Sequence, residues 1–216
     1  LEKDGDEKEH NIFKHVILKE GESIQNLVRS IDPQDFLKAS KMISKATKII
    51  TVGLMNASCI AQYLGYNLRK IHSDVSSIQH GDIEDFLKIR ALNNRSLAII
   101  IAFSRYHHKI KKIAENISNQ KAKIIGISEN VLSPIAEYCD LNFFIPTFID
   151  SFAGSITAPI SLASALLIGY SHIYLNNAKE KLKGFEKIVK AEKVFINEIQ
   201  RGDSSTWLME SAKIDS

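Results

Sequence analysis

The sequence has few of the features that mark small secreted, membrane or nucleic-acid-binding proteins. Its two cysteines, Cys59 and Cys139, are too few for a disulfide scaffold, and each lies in an apolar pattern that predicts a small buried side chain. No apolar run approaches the roughly 20 residues of a transmembrane helix, and residues 1–10 are too charged for a signal peptide. A net charge of only +3 does not favour nucleic-acid binding. We therefore expect a cytoplasmic protein without a membrane partner.

Metal-ligand spacings and nucleotide-binding motifs are also missing. His107 and His108 are adjacent, so on a helix their side chains would diverge by about 100° and would chelate one ion poorly. No Cys–His spacing matches a zinc site, and Gly53 is not followed by the glycines of a dinucleotide-binding loop. Neither a G-x-S-x-G elbow nor a P-loop occurs. The sequence therefore predicts no metal and no cofactor.

Hydrophobic residues make up 44% of the chain, and they are arranged as alternating strands and helices. Two of the predicted strands are apolar almost throughout, as strands buried on both faces are. Short connections to the intervening helices predict right-handed βαβ units. We therefore predict an α/β protein with a doubly wound, parallel five-stranded sheet and helices on both faces. The predicted strands are Lys48–Val52, Val75–Ile78, Ser96–Phe103, Ala122–Ile127 and Leu141–Ile145, and the helices between them are Ala57–Ile71, Ile83–Leu92, Lys109–Ile117 and a short one that Ser133-Pro134 opens.

Helical segments flank the predicted sheet on both sides along the chain. Residues 1–9 have the composition of a solvated arm, the helix that follows is expected to break near Gly21, and Asp32-Pro33 starts the next helix. Ala158–Leu175 is a long apolar helix, and Ala178–Ile199 is an amphipathic one. We accordingly expect an arm and helical linker over residues 1–46, the sheet domain over 47–200 and a flexible tail over 201–216.

Three predicted loops place polar side chains at the carboxyl ends of strands, where open parallel sheets bind their ligands. They are Gly53–Ser58, Ser104–Lys109 and Ser128–Ser133. Their hydroxyl, amide and backbone N–H groups suit an anion such as phosphate. The donors that follow Ser104 are typical of a cationic rim around an anion and equally of a solvated loop, and Ser133 could simply cap a helix. The candidate ligand-binding residues are Asn56, Ser58, Ser104, Arg105, Tyr106, His107, His108, Lys109, Ser128 and Ser133.

Several short motifs have the layout of a known family. They are Ile31-Asp32-Pro33 between two helices, Ala46-Thr47-Lys48-Ile49 before the first strand, Ser133-Pro134-Ile135-Ala136, Cys139-Asp140 and the apolar helix after Ser155. With these motifs, residues 48–175 resemble the sugar-isomerase (SIS) domain, and residues 11–175 resemble the effector part of RpiR-type transcriptional regulators. The resemblance implies a domain that binds a phosphosugar, forms dimers and follows a DNA-binding helix-turn-helix domain, which would lie before Leu1.

The two ligand-binding loops depart from the pattern of that family. Its first loop reads roughly G-x-G-x-S, whereas this chain has Gly53-Leu54-Met55-Asn56-Ala57, with Ser58 one place late. Its second loop reads S-x-S-G-x-T, and Ser104–Lys109 keeps only the first serine. His107 stands where a glycine would let the backbone approach a phosphate closely. The site has therefore either lost phosphosugar binding or replaced the family's cradle with cationic side chains.

These observations favour a non-catalytic sensor of a small anionic, sugar-like effector, which contacts DNA only through a domain outside this chain. An isomerase or related SIS enzyme is the alternative, and a structural dimerisation module with an inactive site is a third possibility. Isomerisation needs a group that moves a proton beside a carbonyl. The candidates, Glu129, His80, His107 and His172, have no spacing that identifies an acid and a base.

The apolar helix Ala158–Leu175 predicts a homodimer or a higher homo-oligomer. A helix that is apolar on almost every face is normally buried on all sides, and one sheet face covers only one of them. A hairpin with Ala178–Ile199 would supply cover within the same chain and is the alternative.

Overall fold

The computed structural model describes residues 3–147 and 152–195, in which five strands and seven α-helices form. The strands are β1 (Lys48–Gly53), β2 (Val75–Ile78), β3 (Ser96–Ala102), β4 (Lys123–Ser128) and β5 (Leu141–Phe144). The helices are α1 (Lys3–Ser30), α2 (Pro33–Lys45), α3 (Ala57–Leu68), α4 (Ile83–Arg90), α5 (Ile110–Asn119), α6 (Thr157–Ile173) and α7 (Leu175–Ala191). The short helix predicted from Ser133 is a 3₁₀ turn at Ala136–Tyr138.

The five strands form one parallel sheet in the order β2-β1-β3-β4-β5. Its register pairs Gly53 with Ile101, Ala102 with Ser128, and Ser128 with Phe144. The carboxyl ends of β1, β3, β4 and β5 therefore meet at one edge, and the loops that leave them lie side by side. The predicted α/β class, parallel direction and strand number are confirmed.

Helices cover both faces of the sheet, so that alternate residues of each strand enter two separate cores. On one face, side chains such as Ile49 and Ile99 pack against helices α2, α3 and α6. On the other face, Ile50 and Ile100 pack against α4 and α5. Strand β3 is buried at every position, as its uninterrupted apolar sequence predicts. This is the doubly wound arrangement.

Helix α1 is continuous, so the predicted break near Gly21 is wrong. A Cβ atom built on Gly21 meets nothing within 4 Å, which means that neither crowding nor an unusual backbone angle interrupts the helix there. A glycine inside a helix costs only about 1 kcal/mol, and packing of α1 against α6 offsets a cost of that size. The helix also extends back to Lys3, into the segment expected to form an arm.

The two cysteines differ from the prediction that both are buried. Cys139 is partly buried, whereas Cys59 is exposed and donates from Sγ to the carbonyl oxygen of Asn56 at 2.9 Å. The buried face of α3 contains Ile60, Ala61 and Leu64, and Cys59 falls outside this stripe. The expectation for Cys59 is therefore wrong.

Helix α6 receives most of its cover from the same chain. Helices α1, α2 and α3 pack against it, α7 also contacts it, and Ile168 and Ile173 remain exposed. Four helices of the same chain therefore contact α6, whereas the predicted hairpin would have supplied only one. Helix α7 ends at Ala191, and the predicted continuation to Ile199 and the tail over 201–216 run into residues outside the described ones.

In the described part of the chain, no single helix has the length and apolar character needed to span a membrane. One bent pair, Thr157–Ile173 with Ala178–Ala191, meets the criterion of length and composition when both helices are counted together.

Substitution of Gly53 by alanine should destabilise the fold, because the new Cβ atom would lie 2.3 Å from the carbonyl oxygen of Ala57, a backbone atom that moves only with α3. We expect the free energy of unfolding, measured by urea titration, to fall by about 1–3 kcal/mol. Gly21→Ala is the matched control and should raise it by about 0.5–1 kcal/mol. Equal effects of the two substitutions would contradict this packing at the start of α3.

Candidate functional site

A cavity of about 400 Å³ opens at the carboxyl edge of the sheet. Its walls are the loops that leave β1, β3, β4 and β5, together with the segment just before α6. Open parallel sheets bind ligands at this position. The lining residues are Leu54–Ala57, Ile101–His107, Ile110, Glu129, Thr147, Phe152 and Gly154–Ile156.

The Glu129 carboxylate is the centre of the hydrogen bonds in this cavity. The Ser104 backbone N–H donates to Oε1 at 3.0 Å, and the Ser104 hydroxyl donates to Oε2 in a short hydrogen bond. The Thr147 hydroxyl donates to Oε1 at 2.9 Å, and the Tyr106 hydroxyl lies 3.5 Å from Oε2. One carboxylate therefore joins the loops that follow β3, β4 and β5.

These contacts determine the charge of Glu129. Partial burial would by itself raise the pKa of Glu129, but the donors from Ser104, Thr147 and Tyr106 together outweigh it and hold the pKa below its usual value. The carboxylate is therefore ionised at neutral pH. The neighbouring Tyr106 responds in the opposite sense: burial, and to a smaller extent the Glu129 charge, raises the pKa of its hydroxyl.

Two lining residues that are not glycine adopt a left-handed backbone conformation. They are Met55, with φ of 53°, and Arg105, with φ of 64°. Met55 stands at the second glycine of the family's G-x-G-x-S loop, so the backbone shape that the glycine would allow is kept at a cost of roughly 1–2 kcal/mol. The other two such residues, Lys121 and Lys193, lie just after α5 and α7, where helices commonly end in this conformation. Strain unrelated to a helix end is therefore confined, among the described residues, to the cavity loops.

Of the residues predicted to form the cationic rim, only Arg105 both lines the cavity and carries a permanent charge. This side chain is exposed at the cavity and makes no hydrogen bond or ion pair with the described residues. His107 also lines the cavity, and its Nδ1 accepts from the Lys109 backbone N–H at 3.2 Å. Burial, followed by the nearby His108 and Lys109, lowers the pKa of His107, so its imidazole is neutral at pH 7.

Half of the predicted ligand-binding residues lie outside the cavity lining. Lys109 points away and donates from Nζ to the carbonyl oxygen of Gly81 at 2.9 Å, while the ring of His108 stacks on His107 with 4.4 Å between centroids. Ser58 lies on α3 behind the lining. Ser128 and Ser133 are buried; the Ser128 hydroxyl has no hydrogen-bond partner among the described residues, and the Ser133 hydroxyl faces that of Tyr106. Asn56, Ser104, Arg105, Tyr106 and His107 are the five that the structure brings together.

Sequence reasoning missed the central role of Glu129 and the contributions of Thr147 and Ser155. Glu129 was considered only as a possible acid or base, although it directly follows a buried strand. Thr147 follows β5, and counting this fourth loop by the same carboxyl-end rule would have found it. Ser155 accepts from the Thr157 backbone N–H and donates to Glu20 of α1 at 2.7 Å. No local signal at Ser155 indicates this contact, because Glu20 is far away in the sequence.

The described residues contain no group of three or more His, Cys, Asp or Glu side chains placed to hold a metal ion. His107 and His108 precede α5 and stack on each other instead of diverging on a helix. The polar groups that line the cavity include hydroxyl, amide and backbone groups, which suit a polar organic ligand.

A family model for the SIS domain matches residues 42–169, which is more than half of the chain. The chain belongs to the SIS domain family. The match includes β1–β5 and most of α6, so that every loop around the cavity is part of the SIS domain. No curated protein matches the sequence.

Solved structures with the same SIS fold include both regulators and enzyme-like proteins. The sugar isomerase domain of an RpiR transcription factor from Sphaerobacter thermophilus has a TM-score of 0.75 at 17% identity, and the match covers 80% of this chain and 97% of that one. Vibrio vulnificus NanR, in complex with ManNAc-6P, has a TM-score of 0.76 at 14% identity, with coverage of 86% and 70%. A Methanococcus jannaschii protein, whose structure was taken to infer 3-hexulose-6-phosphate isomerase function, has a TM-score of 0.60 at 16% identity, with coverage of 76% and 93%. At these identities the similarity shows the fold.

The Glu129 contacts predict how stability depends on pH. Because its folded-state pKa lies below the ordinary value of 4.5, ionised Glu129 stabilises the fold above that pH, and this contribution is lost as the pH falls through the folded-state pKa. Between pH 7 and pH 5, we expect the wild type to be more stable than Glu129→Gln by a constant difference of about 1–2 kcal/mol. Below about pH 4.5 the difference should shrink. Urea unfolding of both proteins from pH 3 to pH 7 tests this, and parallel curves throughout would contradict it.

Proposed function

We propose that this chain is the non-catalytic effector domain of a cytoplasmic DNA-binding regulator of the RpiR type, and that it senses a small carbohydrate derivative that bears an anionic group. The observation that carries the proposal is the cavity at the carboxyl edge of the sheet. It is lined by the Ser104 and Thr147 donors that converge on Glu129, its only acidic side chain among the described residues, and by the Arg105 guanidinium, which has no partner among those residues.

The anionic character of the ligand follows from Arg105. The Arg105 guanidinium lines the cavity and has no partner among the described residues, so it suits a phosphate or carboxylate, which it can hold with two parallel hydrogen bonds. Asn56 and Ser155 also line the cavity, and their amide and hydroxyl groups are suited to sugar hydroxyls. The complex of NanR with ManNAc-6P is consistent with this class of ligand.

The enzyme alternative has one observation in its favour, because Glu129 and His107 line the same cavity. While Glu129 keeps its contacts, neither residue is placed to move a proton. Ser104, Thr147 and Tyr106 occupy the Glu129 carboxylate and lower its pKa, and Nδ1 of His107 accepts from the start of α5. His80 and His172 lie outside the lining. A general base needs a pKa near neutrality and a free lone pair, so the site is better suited to binding than to isomerisation.

A regulator must also pass the state of its cavity to a distant domain. Ser155 lines the cavity and donates to Glu20 of α1, the helix that would continue toward an N-terminal DNA-binding domain. A ligand that moves Ser155 would therefore change a contact of α1. This hydrogen bond supports a signalling role for the helical linker.

We also propose that the domain is a homodimer, which a regulator of a two-fold symmetric operator requires. Since α6 is largely covered within the chain, we place the partner surface on α1, which has the most exposed large apolar side chains of any described helix. Its exposed apolar side chains are Ile12, Phe13, Val16, Ile17, Leu18, Ile24 and Val28. Four of them, Phe13, Ile17, Ile24 and Val28, form an apolar stripe along one side of the helix, which favours a partner surface of the standard size of about 1,600 Å².

Binding of a phosphosugar should stabilise the protein through Arg105. In a thermal-shift panel that includes ManNAc-6P, a ligand at about 100 times its dissociation constant should stabilise the wild type by about 2.7 kcal/mol. Arg105→Gln should remove most of this shift, whereas Lys109→Gln should keep it, because Lys109 bonds Gly81 outside the cavity. Proton NMR of the same wild-type sample should show no conversion of the ligand.

Equal loss of the shift in both variants would contradict this placement of the ligand. Conversion of the sugar by the wild type would contradict the non-catalytic proposal and favour the isomerase.

The proposed dimer should depend on α1. Light scattering should give twice the chain mass of 24.2 kDa for the wild type. The double substitution Phe13→Glu with Ile17→Glu should shift the protein toward the monomer, since it places two charges in the apolar stripe. Ile83→Glu, a change of an equally exposed apolar residue on α4, is the control and should leave the dimer intact. A wild type that stays at 24.2 kDa at high micromolar concentration would rule the dimer out.

A further inference from the structure

We propose that Glu129 is an internal anion that occupies the anion-binding position of the cavity, and that a ligand's phosphate or carboxylate binds beside Ser104 only by displacing it. Glu129 would then act as the specificity-determining residue of the site. The inference rests on the proposed function in one respect, since it assumes that the cavity is where the carbohydrate derivative binds.

The geometry around Glu129 is that of a filled oxyanion site. A backbone N–H and a hydroxyl of the same residue, Ser104, converge on the two carboxylate oxygens, and the Thr147 hydroxyl completes the set from a separate loop. Backbone N–H and hydroxyl groups that converge in this way are strong donors to any oxyanion. The Ser104 and Thr147 donors could therefore bind either a carboxylate of the protein or a phosphate oxygen of a ligand.

A second anion cannot share these donors with Glu129. Each donor hydrogen is already directed at a carboxylate oxygen, and a phosphate placed beside them would face a like charge at close range. An anion that enters the cavity therefore has to expel the carboxylate or stay at the rim with Arg105.

Displacement is open to Glu129 because hydrogen bonds alone hold it. It forms no ion pair with the described residues, it is only partly buried, and its flexible side chain belongs to a loop. Its departure would break the links between the loops after β3, β4 and β5. A ligand that supplies its own oxyanion in the same place would restore them, so that the cavity favours ligands whose remaining groups offset the cost of displacement.

Isothermal titration with inorganic phosphate tests the proposal directly. Glu129→Ala, which empties the position, should bind phosphate at least about tenfold more tightly than the wild type, because one like charge is gone and the donors are free. Glu129→Gln keeps the size of the side chain and removes only the charge, so it should show a smaller gain in the same direction. Glu137→Gln is the matched control: it removes a carboxylate whose partner is Lys111 outside the cavity, and its affinity should equal that of the wild type.

The double variant Glu129→Ala with Ser104→Ala should lose part of the gain, because it lacks the Ser104 hydroxyl and keeps the Ser104 backbone N–H and the Thr147 hydroxyl. If both Glu129 variants, folded by circular dichroism, bind phosphate no more tightly than the wild type, the proposal is overturned. Glu129→Gln decides the matter if Glu129→Ala does not fold. A gain that is undiminished in the double variant also overturns it.

The proposed function has a separate test in the carbohydrate panel. A gain in phosphate affinity without any carbohydrate ligand would keep the internal anion and reject the sensor. A carbohydrate ligand that binds wild type and Glu129→Ala equally, without a gain for phosphate, would keep the sensor and reject the internal anion.

Discussion

All five strands of the sheet run in one direction, and the position of the candidate site follows from this constraint. Parallel pairing sets Gly53, Ala102, Ser128 and Phe144 along one edge. The loops that follow these four strand ends come from different parts of the sequence, yet residues from all four line a single cavity. The two cores on either side of the sheet hold this edge in place, since every position of β3 is buried.

At this edge of the sheet, the Glu129 carboxylate is the centre of the hydrogen bonds between the loops. The backbone of the first loop keeps a left-handed turn at Met55, even though methionine adopts it only with strain. The second loop keeps Ser104 and directs its donors to Glu129. Side chains of the loops after β3 and β5 thus converge on a carboxylate that the chain itself supplies.

The fold was predictable because its signals are local and repeated. The uninterrupted apolar run of β3, the short β-branched run of β1 and the Asp32-Pro33 helix start each predict one element, and their alternation predicts the parallel sheet. Gly21 shows the limit of such signals, since packing of α1 on α6 outweighs one poor helix former.

The site was predictable only in its position. The rule about carboxyl ends found Asn56 and Ser104–His107, but it did not show which way each side chain points. Lys109 turns toward Gly81, and Ser128 turns into the buried sheet. The Ser104–Glu129 and Ser155–Glu20 contacts join residues 25 and 135 positions apart, and no local pattern encodes such pairs.

We propose that the carboxyl-edge cavity binds the anionic group of a carbohydrate derivative at the position Glu129 now holds. A crystal structure of the protein soaked with ManNAc-6P tests it most directly. We expect density for the sugar between Asn56 and Thr147, a phosphate within hydrogen-bond distance of both the Ser104 backbone N–H and the Arg105 guanidinium, and a Glu129 side chain rotated away from it. Density for the sugar outside this cavity, or a phosphate bound elsewhere while Glu129 keeps its contacts with Ser104, would contradict it.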